Sequence, residues 1–153
     1  MQTENDLGSN SNSSKKEKQN QKINNPHFVY ITDEDGIFSV FNAIKLKLSI
    51  RVNCSLSLVY SIHKQLTHPL FKSELKCLER QFPTHLLIYY VINKNNSVSD
   101  NSDTHQQTLE VIINSNISNK VKFLLSGENE FVEFITNRLL FLGIKQNQIS
   151  INN

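Results

Sequence analysis

The stretch Phe28-Val29-Tyr30-Ile31-Thr32-Asp33-Glu34-Asp35-Gly36-Ile37, continued by Phe38 to Ser49, decides the fold. Its first four residues form a short apolar run with two β-branched side chains, which predicts a buried strand. An acidic turn closing on Gly36 follows. Ile37, Val40, Phe41, Ile44 and Leu48 then recur at helical spacing. A strand that passes through a tight turn straight into an amphipathic helix is the opening half of a βαβ unit.

Reading outward, the alternation repeats. Leu56 to Tyr60 predicts a second strand. Pro69 is expected in the first turn of a helix that carries Phe71, Leu75, Leu78 and Phe82 on one face and stops at Pro83. Leu86 to Ile92 is the most strand-like run in the chain. Lys94 to Thr104 is a polar loop, and a weaker helix covers Gln106 to Ile113. Val121 to Leu125 predicts a fourth strand and Glu130 to Leu142 a strong helix. Gly143 stands where a helix end favours a left-handed residue. Ile149 to Ile151 closes the chain as a fifth strand. Alternation of this kind implies an α/β domain, a five-stranded parallel sheet with helices on both faces. No internal repeat is present.

Residues 1–26 differ in texture. Met1, Leu7 and Ile23 are their only aliphatic side chains of any size. Such a segment buries too little surface to offset its ordering entropy, so a disordered polar tail is expected, followed by one domain over 27–153. The tail lacks the apolar core of a signal peptide. At 153 residues and 17.6 kDa the chain suits a single domain. A formal net charge of +2 gives no field that advertises nucleic acid. No apolar run approaches the ~20 residues of a membrane helix. A cytoplasmic protein with neither nucleic-acid nor membrane partners is expected. Cys54 and Cys77 show no zinc spacing, and Cys77, between Leu75 and Leu78, is read as a small core residue. His27, His63, His68, His85 and His105 show no ligand spacing, and no metal site is expected. Asp33, Glu34 and Asp35 also suit the acidic pocket of a response-regulator receiver, but the end of the third strand carries Asn93 where a receiver needs its phosphoacceptor aspartate.

Three segments resemble the pyridine-nucleotide-binding lobe of ferredoxin reductase-like flavoenzymes, with flavodoxin reductases and phenylacetate-pathway reductases the nearest types. The first is Phe28 to Ile37, where the family has an apolar strand followed by G-G-x-G-I-T-P. The second runs from Leu58-Val59-Tyr60-Ser61 through Phe71-Lys72-Ser73-Glu74-Leu75 to Phe82-Pro83, matching a tyrosine-ended strand and an F-x-x-E-L helix. The third is Lys122 to Gly127 with Leu142-Gly143-Ile144, matching an apolar strand, a C-G-P-P turn and a final L-G-[VI] helix end. The likeness covers about His27 to Ile151 and implies the sheet order 3-2-1-4-5.

The resemblance also implies a site. NAD or NADP would be held by Thr32, Asp35, Gly36, Ile37, Tyr60, Ser61, Gly127 and Glu128. Ser126 would stand as the catalytic-position residue, replacing the family cysteine beside the nicotinamide. The implied chemistry is hydride delivery to a flavin. FAD would sit on a separate domain or chain, so a flavin-binding domain or electron-transfer partner is implied. The motifs depart from the family, however. Asp33 and Glu34 take the two leading glycine positions, Asp35 the next, and Phe38 and Ser39 the Thr-Pro positions. Glu128 and Asn129 replace two prolines. Three carboxylates would face a negative pyrophosphate, so nucleotide binding is expected to be weak or lost. The alternative is a degenerate, non-catalytic domain serving as an interaction or structural module. Ile62, His63 and Lys64 after the second strand offer no arginine for a 2′-phosphate, which points toward NAD.

Overall fold

A computed structural model of the chain describes residues 25–50, 53–63, 68–93, 102–116 and 120–152. The expected tail, apart from Asn25 and Pro26, lies outside these residues, as does most of the polar loop 94–104. The strands are β1 (His27–Thr32), β2 (Ser55–His63), β3 (Leu86–Asn93), β4 (Val121–Ser126) and β5 (Ile149–Ile151). The helices are α1 (Ile37–Ser49), α2 (Lys72–Gln81), α3 (Ser102–Ser115) and α4 (Asn129–Phe141). All strand pairs are parallel, in the order β3-β2-β1-β4-β5. No helix among the described residues is long and apolar enough to cross a membrane.

The pleat divides the core into two layers. Val29, Ile31, Val59, Phe123 and Leu125 face α3 and α4, and bury Leu109, Ile112, Phe131, Ile135 and Leu139. Tyr30, Leu56, Leu58, Tyr60 and Ile62 face α1 and α2, and bury Ile37, Val40, Ile44 and Leu75. Central strands are therefore apolar on both sides, which is why they read as continuous runs.

Three local expectations need correction. Helix α2 starts at Lys72, so Pro69 precedes it. Phe71 at the N-cap adopts a left-handed backbone (φ 59°), and its ring stacks on Phe41 with centroids 4.4 Å apart. That packing offsets a conformation disfavoured for a bulky residue. Cys77 is exposed, because Leu75 is the buried residue of α2 and a position two residues on points away from the sheet. Helix α3 begins at Ser102 rather than Gln106; a Ser-Asp-Thr start suits a helix's first turn, and Leu109 and Ile112 anchor its apolar face.

Candidate functional site

β1 and β4 pair in register from His27 opposite Val121 to Thr32 opposite Ser126. Their loops therefore leave the same end of the sheet side by side. The chain turns toward β2 after β1 and toward β5 after β4, so the two loops flank the point where strand order reverses. In an open parallel sheet this crevice is where ligands bind.

The loops touch. A Cβ built on Gly36 would lie 2.5 Å from the Ser126 carbonyl carbon and 2.5 Å from Thr32 Oγ1. Gly36 is thus required by the close approach of α1's start to the end of β4. A Cβ on Gly127, whose φ is +144°, would lie 2.3 Å from Asp33 Oδ1. Gly127 is required both by its backbone and by the Asp33 carboxylate that lies against it.

Asp33 organises the crevice. Its Oδ1 accepts hydrogen bonds from the backbone amides of Asp35 at 3.0 Å and Gly36 at 3.1 Å. Its Oδ2 accepts from the amide of Glu128 at 2.9 Å. Amides at the starts of α1 and α4 thus converge on one carboxylate. Free helix-start amides are the usual cradle for a phosphate, because several N–H groups and two helix dipoles favour negative charge there. Here that charge belongs to the chain itself. The Asx-type pattern, an aspartate accepting from amides two and three residues on, is the local reason the turn Asp33-Glu34-Asp35-Gly36 closes this way.

Two more carboxylates add to the charge. Oxygens of Asp33, Asp35 and Glu128 lie within 4.8 Å of one another, close enough in principle to share a hard cation. Glu128 is held above the usual carboxylate range, chiefly by its hydrogen bond with Asp35 and then by Asp35's charge. A pyrophosphate entering here would meet the Asp35, Gly36 and Glu128 amides already bonded to Asp33 and would stand beside three acidic groups, so this part of the crevice fits it poorly.

The other predicted site residues lie around this centre. Thr32 is buried, and its hydroxyl donates to the Asp33 carbonyl at 3.0 Å. Ile37 is buried in the α1 core layer. Ser126 is buried, with its hydroxyl 3.3 Å from that of Ser39 on α1. Tyr60 stands opposite Thr32 on β2 and is fully buried. Its hydroxyl makes no hydrogen bond of good geometry among the described residues, the nearest approach being a weak one to the Leu70 backbone. Its pKa is pushed up to about 12, first by burial and then by the charge of Glu34. Ser61 is buried on the opposite face, bonded to His105 Nε2 at 3.2 Å, and His105 packs edge-on against Phe131 and Phe134. Thr32, Asp35, Gly36, Ile37, Ser126, Gly127 and Glu128 therefore come together along the two loops, with Tyr60 and Ser61 on the neighbouring β2; of these Thr32, Ile37, Tyr60 and Ser61 are fully buried and present no surface to the crevice.

Three residues have roles that the sequence reading does not assign. Asp33, expected as a charge that opposes pyrophosphate, also carries the signal of an Asx-type turn in its spacing from Asp35 and Gly36. Glu34 reaches away from the crevice and accepts from the His63 amide at 2.8 Å, tying the β1 loop to the end of β2. His105 gave no signal, because its partner Ser61 is 44 residues distant.

No protein-family model and no curated protein matches this sequence. Solved structures do match in fold. Ferredoxin-NADP+ reductase from Plasmodium falciparum, as its H286L mutant, aligns with a TM-score of 0.68 at 14% identity, over 83% of this chain and 52% of that one. The CS-b5R domains of human Ncb5or in the NAD+ form align with a TM-score of 0.66 at 14% identity, over 85% and 37%. Flavohemoglobin from Malassezia yamatoensis, with bound FAD and heme, aligns with a TM-score of 0.61 at 12% identity, over 86% and 32%. The chain spans about half or less of the length of these proteins. The fold is that of the pyridine-nucleotide lobe of ferredoxin reductase-like flavoproteins.

Proposed function

We propose that this chain is a reductase-type nucleotide lobe whose phosphate crevice is closed by its own Asp33, and that it works as a non-catalytic interaction module. The carrying observation is the convergence of the Asp35, Gly36 and Glu128 amides on the Asp33 carboxylate. A dinucleotide would have to displace an acceptor already tethered in place, then sit beside Asp35 and Glu128. Millimolar binding corresponds to only about 4 kcal/mol, so modest opposition of this kind suffices to abolish it. In this reading Ser126 carries no hydride-transfer role, and residues 1–26 form a separable polar tail.

A second reading keeps hydride delivery from NADH to a flavin held on another domain or chain. It is favoured by Gly36 and Gly127, which keep the two crevice loops in close contact. Calorimetric titration with NADH and with NADPH separates the two. Binding weaker than millimolar is expected, and a micromolar dissociation constant for either nucleotide would restore the catalytic reading.

A further inference from the structure

We infer that the groove between α1 and the β1–β4 strand pair docks an amphipathic helix of a partner protein whose flanks carry carboxylates. The inference deepens the interaction-module reading, on which it rests, by naming the surface and the partner's chemistry. The groove lies toward the other end of β1 from the acidic crevice. It encloses about 500 Å³ and is lined by Phe28 and Tyr30 from the sheet, by Ala43, Leu46 and Lys47 from α1 and by its C-cap residue Ile50. The α1 residues follow the i, i+3, i+4, i+7 spacing of one helical stripe, so α1 offers a continuous second face besides the one it buries. Leu46 and Ile50 on that stripe are 63% and 60% exposed.

Beside this stripe no described helix covers β4. On this side α1 and α2 pack on part of β1, on β2 and on the start of β3, and β4 contributes only the partly buried Leu124 to that layer. Register places Lys122 beside Phe28, Leu124 beside Tyr30, and Ser150 beside Leu124. Lys122 and Ser150 are exposed. A smaller hollow of about 60 Å³, sharing Tyr30 and Ala43, extends the groove past Leu124 to Ser126 and Asn152. The vacant strip therefore runs alongside α1, where one more helix would complete the layer.

Charge selects the occupant. The Lys47 ammonium sits 3.5 Å from the centroid of the Phe28 ring, and the exposed Lys122 is the β4 residue paired with Phe28, at the rim of the groove. No carboxylate lines the groove. A second copy docking by two-fold symmetry would set these lysines against themselves. Residues 1–24 make a poor occupant. They hold four lysines against three acids, and Met1, Leu7 and Ile23 cannot form a helical stripe. A partner helix with a Leu-type stripe for the floor and Glu on its flanks satisfies both features.

The test uses the full chain, isotope-labelled, with two helical peptides of about 18 residues that carry the same leucine stripe. One has glutamate flanks and the other lysine flanks; a scrambled glutamate peptide and vesicles of phosphatidylcholine with phosphatidylserine complete the set. The glutamate peptide is expected to shift the amides of Phe28, Ala43, Leu46 and Ile50 and to bind at least about fivefold more tightly than the lysine peptide. The double variant Lys47→Glu/Lys122→Glu should reverse that order, and Leu46→Asp should weaken both peptides. Binding by no peptide up to millimolar, equal binding by the scrambled peptide, shifts confined to other surfaces, or α1 shifts produced by the vesicles would each overturn the assignment. NADH titration of the same sample reports separately on the closed crevice, so failure of one does not mimic failure of the other.

Discussion

Replacing Asp33 by glycine should turn the crevice from closed to open. The wild-type carboxylate accepts from three amides at 2.9–3.1 Å. Asp33→Gly frees all three donors and removes one negative charge. A diphosphate seated there would hold its two charges about 5 and 7 Å from the former carboxylate. Even at the dielectric of water the repulsion lifted is together about 1.4 kcal/mol, and at an effective dielectric near 20 it is several-fold larger. The lower figure is a tenfold gain in affinity. Asp33→Gly should therefore bind NADH at least tenfold more tightly than wild type, measured by calorimetry at low salt. Asp33→Asn, which keeps an acceptor but loses the charge, should fall between. The same change removes an Asx-type cap and should cost about 1 kcal/mol of stability. If Asp33→Gly folds and its affinity stays within twofold of wild type, the carboxylate is not what closes the crevice.

Other expectations follow from buried and charged groups. Tyr60→Phe removes a buried hydroxyl that has no hydrogen bond of good geometry among the described residues, only a weak approach of the Leu70 backbone. It should leave stability unchanged or raise it by about 1 kcal/mol, whereas a loss above that in urea unfolding would reveal a bond that matters. The Glu128 carboxyl is raised by Asp35, so the folded state holds its proton to higher pH than the unfolded state does. As pH rises from the ordinary 4.5 through the folded value, its unfavourable charge develops and weakens the fold, by a small amount because the exposed carboxyl is screened by solvent. Glu128→Gln should thus raise Tm at neutral pH, with the gain shrinking toward the ordinary value of 4.5; a gain unchanged on acidification would contradict this. His27 is buried between Ser55 and Ser57 and held below its ordinary 6.5 by burial. Stability should fall as pH drops below about 6.5, where the unfolded chain takes up the proton first, and His27→Gln should flatten that slope in thermal melts.

Much of the fold is legible in local pattern. The runs at Phe28–Ile31, Leu86–Ile92 and Val121–Leu125 read as strands from their apolar stretches, although burial on both faces holds for the sheet centre only: Leu87 and Ile92 of the edge strand β3 are half exposed, and the exposed Lys122 interrupts β4. The strand order came from the match of whole phrases to a family. What was missed depends on distant packing. The start of α2 was misplaced because Phe71's left-handed backbone is held by Phe41, 30 positions earlier. Cys77 was placed in the core because two leucines flank it, although only Leu75 faces the sheet. In the crevice, the residue types were visible but their roles were not. Three adjacent acids read as three similar charges, whereas Asp33 joins the turns that precede α1 and α4, Glu34 ties down His63, and Asp35 pairs with Glu128. Those distinct roles come from distant partners, Glu128 lying 95 residues from Asp33 and His63 29 residues from Glu34, which no local pattern encodes.

The most direct test of the closed crevice is an amide-resolved titration with inorganic pyrophosphate, comparing wild type with Asp33→Gly. In wild type the Asp35, Gly36 and Glu128 resonances should stay in place up to millimolar pyrophosphate, because their protons already point at Asp33. In Asp33→Gly the same three should move together and saturate. Saturable movement of these amides in wild type at micromolar pyrophosphate would contradict the account.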